Sequence, residues 1–194
     1  MGQAKVKRET LRQMLLKKGE EWDFPPSPWE AAVCAELKEE NVVIVPRAPA
    51  DQLASMRMPA NKCHANVRWY VQNDPAGKAR AVTGWWVQWP VFVLHSVIEA
   101  DGQLVCITPS AYNEVEVPFL PDPKISWVED GEVYSAVRQG HIIGPGVRAL
   151  PAFTMAQNAI VRERLLAGCD PLKAGDFSDE EMMELKRQYI EGSF

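Results

Sequence analysis

Residues 92–108 read FVLHSVIEADGQLVCIT, and the fold is predicted most directly from these residues. Two runs of β-branched and apolar residues flank Asp101-Gly102, a dipeptide typical of a tight β-hairpin. With these two residues at the centre of the turn, counting outward along the strands brings His95 opposite Thr108. The stretch therefore predicts an antiparallel hairpin that carries a histidine on its first strand.

The segments around this hairpin predict a small sheet and a helix beside it. Patterns rich in β-branched and apolar residues predict a buried strand at 42–45 and further strands at 81–88 and 115–119. Asn61 is placed to cap a helix over residues 62–73, and Cys63 then lies in its first turn. We expect an α+β fold, with a small antiparallel β-sheet packed against the helix that begins at the candidate nucleophile Cys63.

Helical patterns flank this core at both ends of the chain. They are predicted at 5–18, at 28–40 with Ser27 as cap, at 154–167, and at 179–191, where Ser178 and Glu181 have capping-box spacing. A chain of 194 residues fits one domain. We therefore expect a single domain over residues 1–194, made of N-terminal helices (1–40), an α+β core (41–150) and C-terminal helices (151–194).

Charge and cysteine usage exclude several classes of protein. The net charge of -5 gives no broad positive field, so we expect no nucleic-acid partner. The four cysteines are scattered without a CxxC pair, which predicts reduced thiols and a cytoplasmic location. The longest apolar run is too short for a membrane span, so no membrane association is expected.

Cys63 and His95 are the candidates for chemistry. The N-terminus of a helix favours a thiolate, because free N–H groups and the helix dipole stabilise negative charge there. A nucleophilic cysteine also needs a base, usually a histidine from another element, and a third polar group that orients the imidazole. The predicted register assigns that third position to Thr108, opposite His95.

The order of these residues is similar to that in a known superfamily. NKCHANV at 61–67, LHSV at 94–97, Asp101-Gly102 and ITP at 107–109 resemble the core of papain-like and transglutaminase-like cysteine enzymes, over residues 60–110. The resemblance implies an acyl-transfer site with Cys63 as nucleophile, His95 as general base and Thr108 in the orienting position. The family has an acid or amide in this third position, and three other residues stay open for the role: His141, Asn113 and Glu114.

An oxyanion hole would need two donors close to the nucleophile. The backbone N–H of Cys63 is the natural first donor, and Asn61 or Gln88 are candidates for the second. Trp85 and Trp86 lie between nucleophile and base in the sequence. They either line the cleft or belong to the core.

A metal site and a protein-binding surface are the alternatives to an acyl-transfer site. Four residues of zinc-ligand type lie in this region, but they lack the closely spaced pairs of structural zinc sites, so we expect no metal and no cofactor: Cys63, His64, His95 and Cys106. His64 is expected to point elsewhere on the helix, as a surface or supporting group. A non-catalytic protein-binding module on the same scaffold remains the alternative.

The function predicted from the sequence is therefore a cysteine-dependent hydrolase or acyltransferase. The bond attacked would be an amide or a thioester, as in a peptidase, amidase or deamidase. We expect the substrate to be a protein or peptide, or the partner to be a protein if the chain only binds.

Overall fold

The computed structural model describes residues 3–110, 114–131 and 133–191 of this chain. These residues form an α+β fold that divides into two compact units. Residues 1–32 and 148–194 form the helical unit, and residues 33–147 form the α+β unit. The expectation of one folding domain stays a prediction.

Helices and strands follow one another in the predicted order, with a few additions. The helices are α1 (Gln3–Glu21), α2 (Pro28–Lys38), α3 (Ala50–Ser55), α4 (Cys63–Asn73), α5 (Pro151–Leu166) and α6 (Asp179–Tyr189). The strands are β1 (Val43–Pro46), β2 (Arg80–Gln88), β3 (Val91–Ala100), β4 (Gln103–Val105), β5 (Glu116–Pro121), β6 (Ile125–Asp130), β7 (Val133–Arg138), β8 (His141–Ile142) and β9 (Gly146–Arg148). The short helix α3 is not among the elements predicted from the sequence.

The α+β unit is built on the predicted hairpin. Ala100 pairs with Gln103, and Asp101 and Gly102 both have positive φ, of 49° and 77°, as the tight turn requires. Neighbouring strands follow the order β1-β5-β2-β3-β4 with antiparallel pairing, and β9 also pairs with β3. Strands β6, β7 and β8 form a second, three-stranded sheet.

The larger sheet curves until its two end strands meet. The backbone N–H of Cys106 donates to Pro46 O at 2.9 Å, and that of Ala48 donates to Cys106 O at 2.9 Å. Side chains on the concave face form one buried cluster, made of Val45, Val97, Cys106, Val117 and Phe119. Because strand side chains alternate between faces, His95 shares this face with Val97, whereas Ser96 points to the opposite one.

A glycine permits close packing directly opposite His95. Gly84 pairs with His95 across β2 and β3. A Cβ at this position would lie 2.8 Å from the ring carbon Cζ of Phe119 and closer still to the backbone oxygen of Leu120. Gly84 therefore lets β5 and the Phe119 ring approach β2 next to the histidine.

Helix α4 packs on the other face of the sheet. Its buried residue Val67 belongs to a second core cluster together with Ile98 of β3 and with Leu53 and Met58 from α3 and the segment after it. This packing confirms the predicted arrangement of a small antiparallel sheet against the helix that begins at Cys63.

Three local predictions differ from the structure. Strand β1 is not fully buried, because Val43 and Ile44 are 38% and 57% exposed and only Val45 faces the core. Strand β4 ends at Val105 rather than at Thr108. The N-cap of α4 is Lys62, without a side-chain capping bond, and not Asn61, which has a φ of 59°.

The helical unit contains a buried ion pair. Arg148 donates from Nε and Nη2 to the two carboxylate oxygens of Glu30, at 2.8 and 3.0 Å, and neither residue reaches solvent. The predicted capping box at the start of α6 is confirmed, because Ser178 and Glu181 exchange side-chain and backbone hydrogen bonds. No helix in the described part of the chain is long and apolar enough to cross a membrane.

Candidate functional site

Cys63 is the first residue of α4, as the sequence predicts, and it is half-buried. The backbone of Ser96, the residue that follows His95 on β3, is close enough to the sulfur to lower the pKa of Cys63. The thiol of the candidate nucleophile therefore lies beside the strand that carries the candidate base, but the His95 side chain points to the face opposite to α4, and among the described residues no hydrogen bond joins the two side chains.

The thiol is protonated at neutral pH. Burial raises the pKa of Cys63 to about 11, and the neighbouring Cys106 adds a smaller effect in the same direction. Backbone hydrogen bonds from Ser96 and His64 lower the pKa, but they do not outweigh burial. The helix N-terminus alone thus does not produce the thiolate that its position in the sequence suggested.

His95 is buried on the concave face of the sheet, at 3% exposure. Its ring lies 5.5 Å from the Trp86 ring and 6.3 Å from the Phe119 ring, between centroids. Burial, with smaller contributions from His64 and Arg47, lowers the pKa of His95 to about 3. The imidazole is therefore neutral at pH 7 and has one ring nitrogen able to accept a proton.

The His95 ring is in contact with Cys106 and not with Thr108. His95 Nε2 lies 3.4 Å from the sulfur of Cys106. The Thr108 hydroxyl accepts instead from Asn66 Nδ2 of α4, at 3.2 Å, and its carbonyl accepts from Arg47. The predicted contact between Thr108 and His95 is thus replaced by a bond that ties the end of the hairpin to α4.

The sequence does not predict Cys106 as the residue in contact with His95, although one feature of the sequence indicates it. The predicted register already brought it opposite Val97, on the same strand face as Thr108. A thiol is a weak hydrogen-bonding group compared with a carboxylate or an amide, so residue type alone favoured other candidates.

The three other candidates for the orienting role have different positions. Glu114 lies beside Arg47, with 3.8 Å between a carboxylate oxygen and Nη2. His141 is exposed on β8, in the smaller sheet, and its Nδ1 lies 3.2 Å from Gln139 O. Asn113 lies outside the described residues.

His64 is part of the site rather than a surface group. Its Nδ1 lies 2.8 Å from the hydroxyl oxygen of Ser96, which in turn lies 3.3 Å from Thr83 Oγ1. Burial, helped by the charge of Arg68, lowers the pKa of His64 to about 4. This second neutral histidine anchors the first turn of α4 to β3, next to Cys63.

The structure separates the residues proposed around the oxyanion. Asn61 is exposed and precedes the N-cap of α4 by one residue. Gln88 is four residues along β2 from Gly84, the partner of His95, which is about 13 Å at the rise of a β-strand. The structure therefore does not bring Gln88 to Cys63.

The two tryptophans have different roles. Trp85 is fully buried and donates from Nε1 to Asp122 Oδ2 at 2.8 Å, so it belongs to the core. Trp86 is half-buried and packs beside His95, and the guanidinium of Arg47 lies 5.6 Å from its ring centroid. Only Trp86 therefore lines the surroundings of the candidate base.

An aromatic surface continues from His64 onto the smaller sheet. The His64 and Trp127 ring centroids are 4.8 Å apart, and Trp127 stacks on Tyr134 at 5.3 Å. The Arg68 guanidinium lies 4.0 Å from the centre of the Tyr134 ring. Tyr134 and Arg68 are exposed, so this surface is open to a ligand on the side of α4 that carries His64.

Among the described residues, no group of three or more His, Cys, Asp or Glu side chains is arranged to hold a metal ion. Comparisons with protein-family models, curated proteins and solved structures give no match.

Proposed function

We propose that the chain is a cysteine-dependent hydrolase or acyltransferase that acts on an amide or thioester bond. The observation that carries the proposal is the position of Cys63 as the first residue of α4, which packs on the strand that also carries His95. This packing holds the first residue of α4 beside the strand residue next to His95. The likeness of residues 60–110 to papain-like and transglutaminase-like enzymes supports the same assignment of Cys63 as nucleophile and His95 as base.

In the proposed reaction the attack starts from a neutral thiol and a neutral imidazole. The pKa of Cys63 is raised to about 11 and that of His95 is lowered to about 3, so both groups are uncharged at rest. In this proposed reaction the thiol proton passes to the imidazole while the sulfur forms its bond to the acyl carbon, which requires the thiol to reach a ring that points to the face of β3 opposite to α4. The imidazolium gives this proton to the leaving nitrogen or sulfur, and water or an amine attacks the acyl-enzyme in the second half-reaction.

The negative charge of the tetrahedral intermediate needs donors close to Cys63. The first N–H groups of α4 have no partner within the helix, and the N-cap residue Lys62 provides no side-chain bond to them. These N–H groups, together with the positive end of the helix dipole, would stabilise the oxyanion.

The surface beside His64 favours a protein or peptide as the substrate. Trp127 and Tyr134 offer stacked aromatic rings, and Arg68 adds a positive charge over the Tyr134 ring. The same surface also supports the second candidate function, a module that binds a protein without catalysis. Cys63 reactivity distinguishes the two functions, because binding does not need a reactive thiol.

The test is covalent acylation by an activated thioester such as S-phenyl thioacetate, located by peptide mass spectrometry. We expect acetylation at Cys63 at pH 7, its loss in Cys63→Ala, and a fall of roughly 100-fold in His95→Gln, the lower range for general-base catalysis. Cys169→Ala, in the helical unit, is the control for non-specific acylation. Acylation that is unchanged in His95→Gln would favour the binding module.

A further inference from the structure

The sulfur of Cys106 has three polar neighbours in the buried interior of the sheet. His95 Nε2 lies at 3.4 Å, and Arg47 Nη1 donates to the sulfur at 3.3 Å. The thiol itself is directed at the carbonyl oxygen of Thr108, at 3.9 Å. Cys106 has no solvent exposure, so these contacts satisfy its hydrogen-bonding groups without water.

The directions of these bonds determine the proton position on His95. With the S–H of Cys106 directed at Thr108 O, 3.9 Å from the sulfur, the sulfur accepts from its other two neighbours. The guanidinium of Arg47 has no acceptor atom and can only donate. His95 must then donate from Nε2, which leaves the lone pair of Nδ1 as the proton acceptor.

We propose that Cys106 is a positioning residue that holds His95 in the tautomer with the proton on Nε2, and that Arg47 holds the Cys106 sulfur in place. The catalytic consequence of this inference rests on the proposed function, whereas the tautomer itself does not. In thiol enzymes of this type the orienting group is an acid or amide. Here the sulfur of Cys106, which already accepts from Arg47, accepts the Nε2–H of His95 in that position.

Arg47 is itself fixed in this arrangement from several sides. Its Nε donates to Glu114 O at 2.8 Å, its guanidinium lies over the Trp86 ring, and its side chain is 6% exposed. A fixed guanidinium gives the Cys106 sulfur one defined orientation. A carboxylate at position 106 would accept from both His95 and Arg47, and it would stabilise the imidazolium more strongly than a thiol does.

The direct test is the nitrogen chemical shifts of the His95 ring, measured by long-range proton–nitrogen NMR in the intact chain. The protein has three histidines, and the signals missing from His95→Gln assign His95. We expect the Nε2-protonated tautomer in the parent and in Cys106→Ser, whose hydroxyl can make the same bonds. In Cys106→Ala we expect mixed tautomers, because the Nε2–H loses its acceptor. An Nδ1-protonated ring in the parent, or an unchanged ring in Cys106→Ala, overturns the proposal.

Acylation of Cys63 by S-phenyl thioacetate provides the second measurement. We expect about tenfold slower acylation in Cys106→Ala, a partial loss of general-base catalysis. Cys106→Asp should be at least as fast as the parent, and an Asp variant as slow as Cys106→Ala would contradict the positioning role. If Cys106→Asp does not fold, the tautomers of the Ser and Ala variants decide. A parent with the expected tautomer but no acylation refutes the proposed function and leaves the tautomer assignment intact.

Discussion

Two opposing effects act on the Cys63 sulfur. Its position as first residue of α4 favours a thiolate, whereas its burial favours the neutral thiol. Burial is the larger effect, since the pKa is raised to about 11. A neutral nucleophile of this kind depends on a base at the moment of attack, so simple alkylation and base-assisted acylation should respond differently to pH.

We predict that iodoacetamide alkylation of Cys63 accelerates by about tenfold per pH unit from pH 7 to pH 10, because only the thiolate reacts and its fraction rises in this proportion below the pKa. Peptide mass spectrometry after timed quenching gives the rate at Cys63. His95→Gln should show the same slope, since a neutral imidazole contributes no charge. A rate that levels off below pH 8 would show a thiolate at neutral pH and contradict the neutral pair.

At this scale the sequence predicts some residues of the site and misses others. Cys63 and His95 could be found because a helix start and a hairpin strand each have a local signature. Cys106 and His64 could not, because their roles depend on contacts with His95 and Ser96 across different elements. Gly84 was also missed, since the close approach of Leu120 has no local signal in the sequence.

The pairing of the strands was more predictable than the exposure of their side chains. Asp101-Gly102 determined the register of β3 and β4, and this register was confirmed. The exposure of Val43 and Ile44 was not predictable, because a short apolar run does not show whether both faces of its strand are covered. In β1 the apolar composition reflects β-propensity as well as burial.

A buried ionic network connects strands and a helix within the α+β unit. Asp122, which follows β5, accepts from Trp85 Nε1 at 2.8 Å and from Arg138 Nε at 2.7 Å. Arg138 also donates to Glu36 of α2 at 2.7 Å. The smaller sheet is thereby joined to β2 through buried side chains and to α2 through Glu36, whose side chain is partly exposed.

We predict that Asp122→Ala lowers the free energy of unfolding by about 3 kcal/mol or more, because it leaves the buried Arg138 and the Trp85 N–H short of an acceptor. Urea unfolding followed by tryptophan fluorescence measures the change. Lys78→Gln is the matched control, since its ion pair with Asp101 is exposed and should contribute less than about 1 kcal/mol. If Asp122→Ala lowers the free energy of unfolding by as little as Lys78→Gln does, the network adds no stability.

For the whole molecule, the division into units depends on contacts that no local pattern shows. Arg148 and Glu30 are separated by 118 residues in sequence and meet as a buried pair in the helical unit. Both residues are charged types that are usually exposed, so composition and periodicity give no sign of the pairing. The boundaries of the units fall inside α2 and β9.

Two buried neutral histidines give the α+β unit a characteristic acid sensitivity. The pKa of His95 is lowered to about 3 and that of His64 to about 4, from 6.5 in an unfolded chain. Below pH 6.5 the unfolded chain therefore binds protons that the folded chain does not, and stability falls as the pH falls. The full loss extends over the window from 6.5 down to these lowered values.

We predict that the free energy of unfolding falls between pH 6.5 and pH 5 with a slope of up to about 1.4 kcal/mol per pH unit for each of the two histidines. This window lies above the titration of ordinary carboxyl groups. Five of the seven tryptophans belong to the α+β unit, so fluorescence-detected urea unfolding at a series of pH values reports on it. His95→Gln should reduce the slope by about half, whereas His141→Gln, which changes an exposed histidine, is the control. A parent slope near zero would mean that the histidines bind protons in the folded state, and the neutral resting pair would then be wrong.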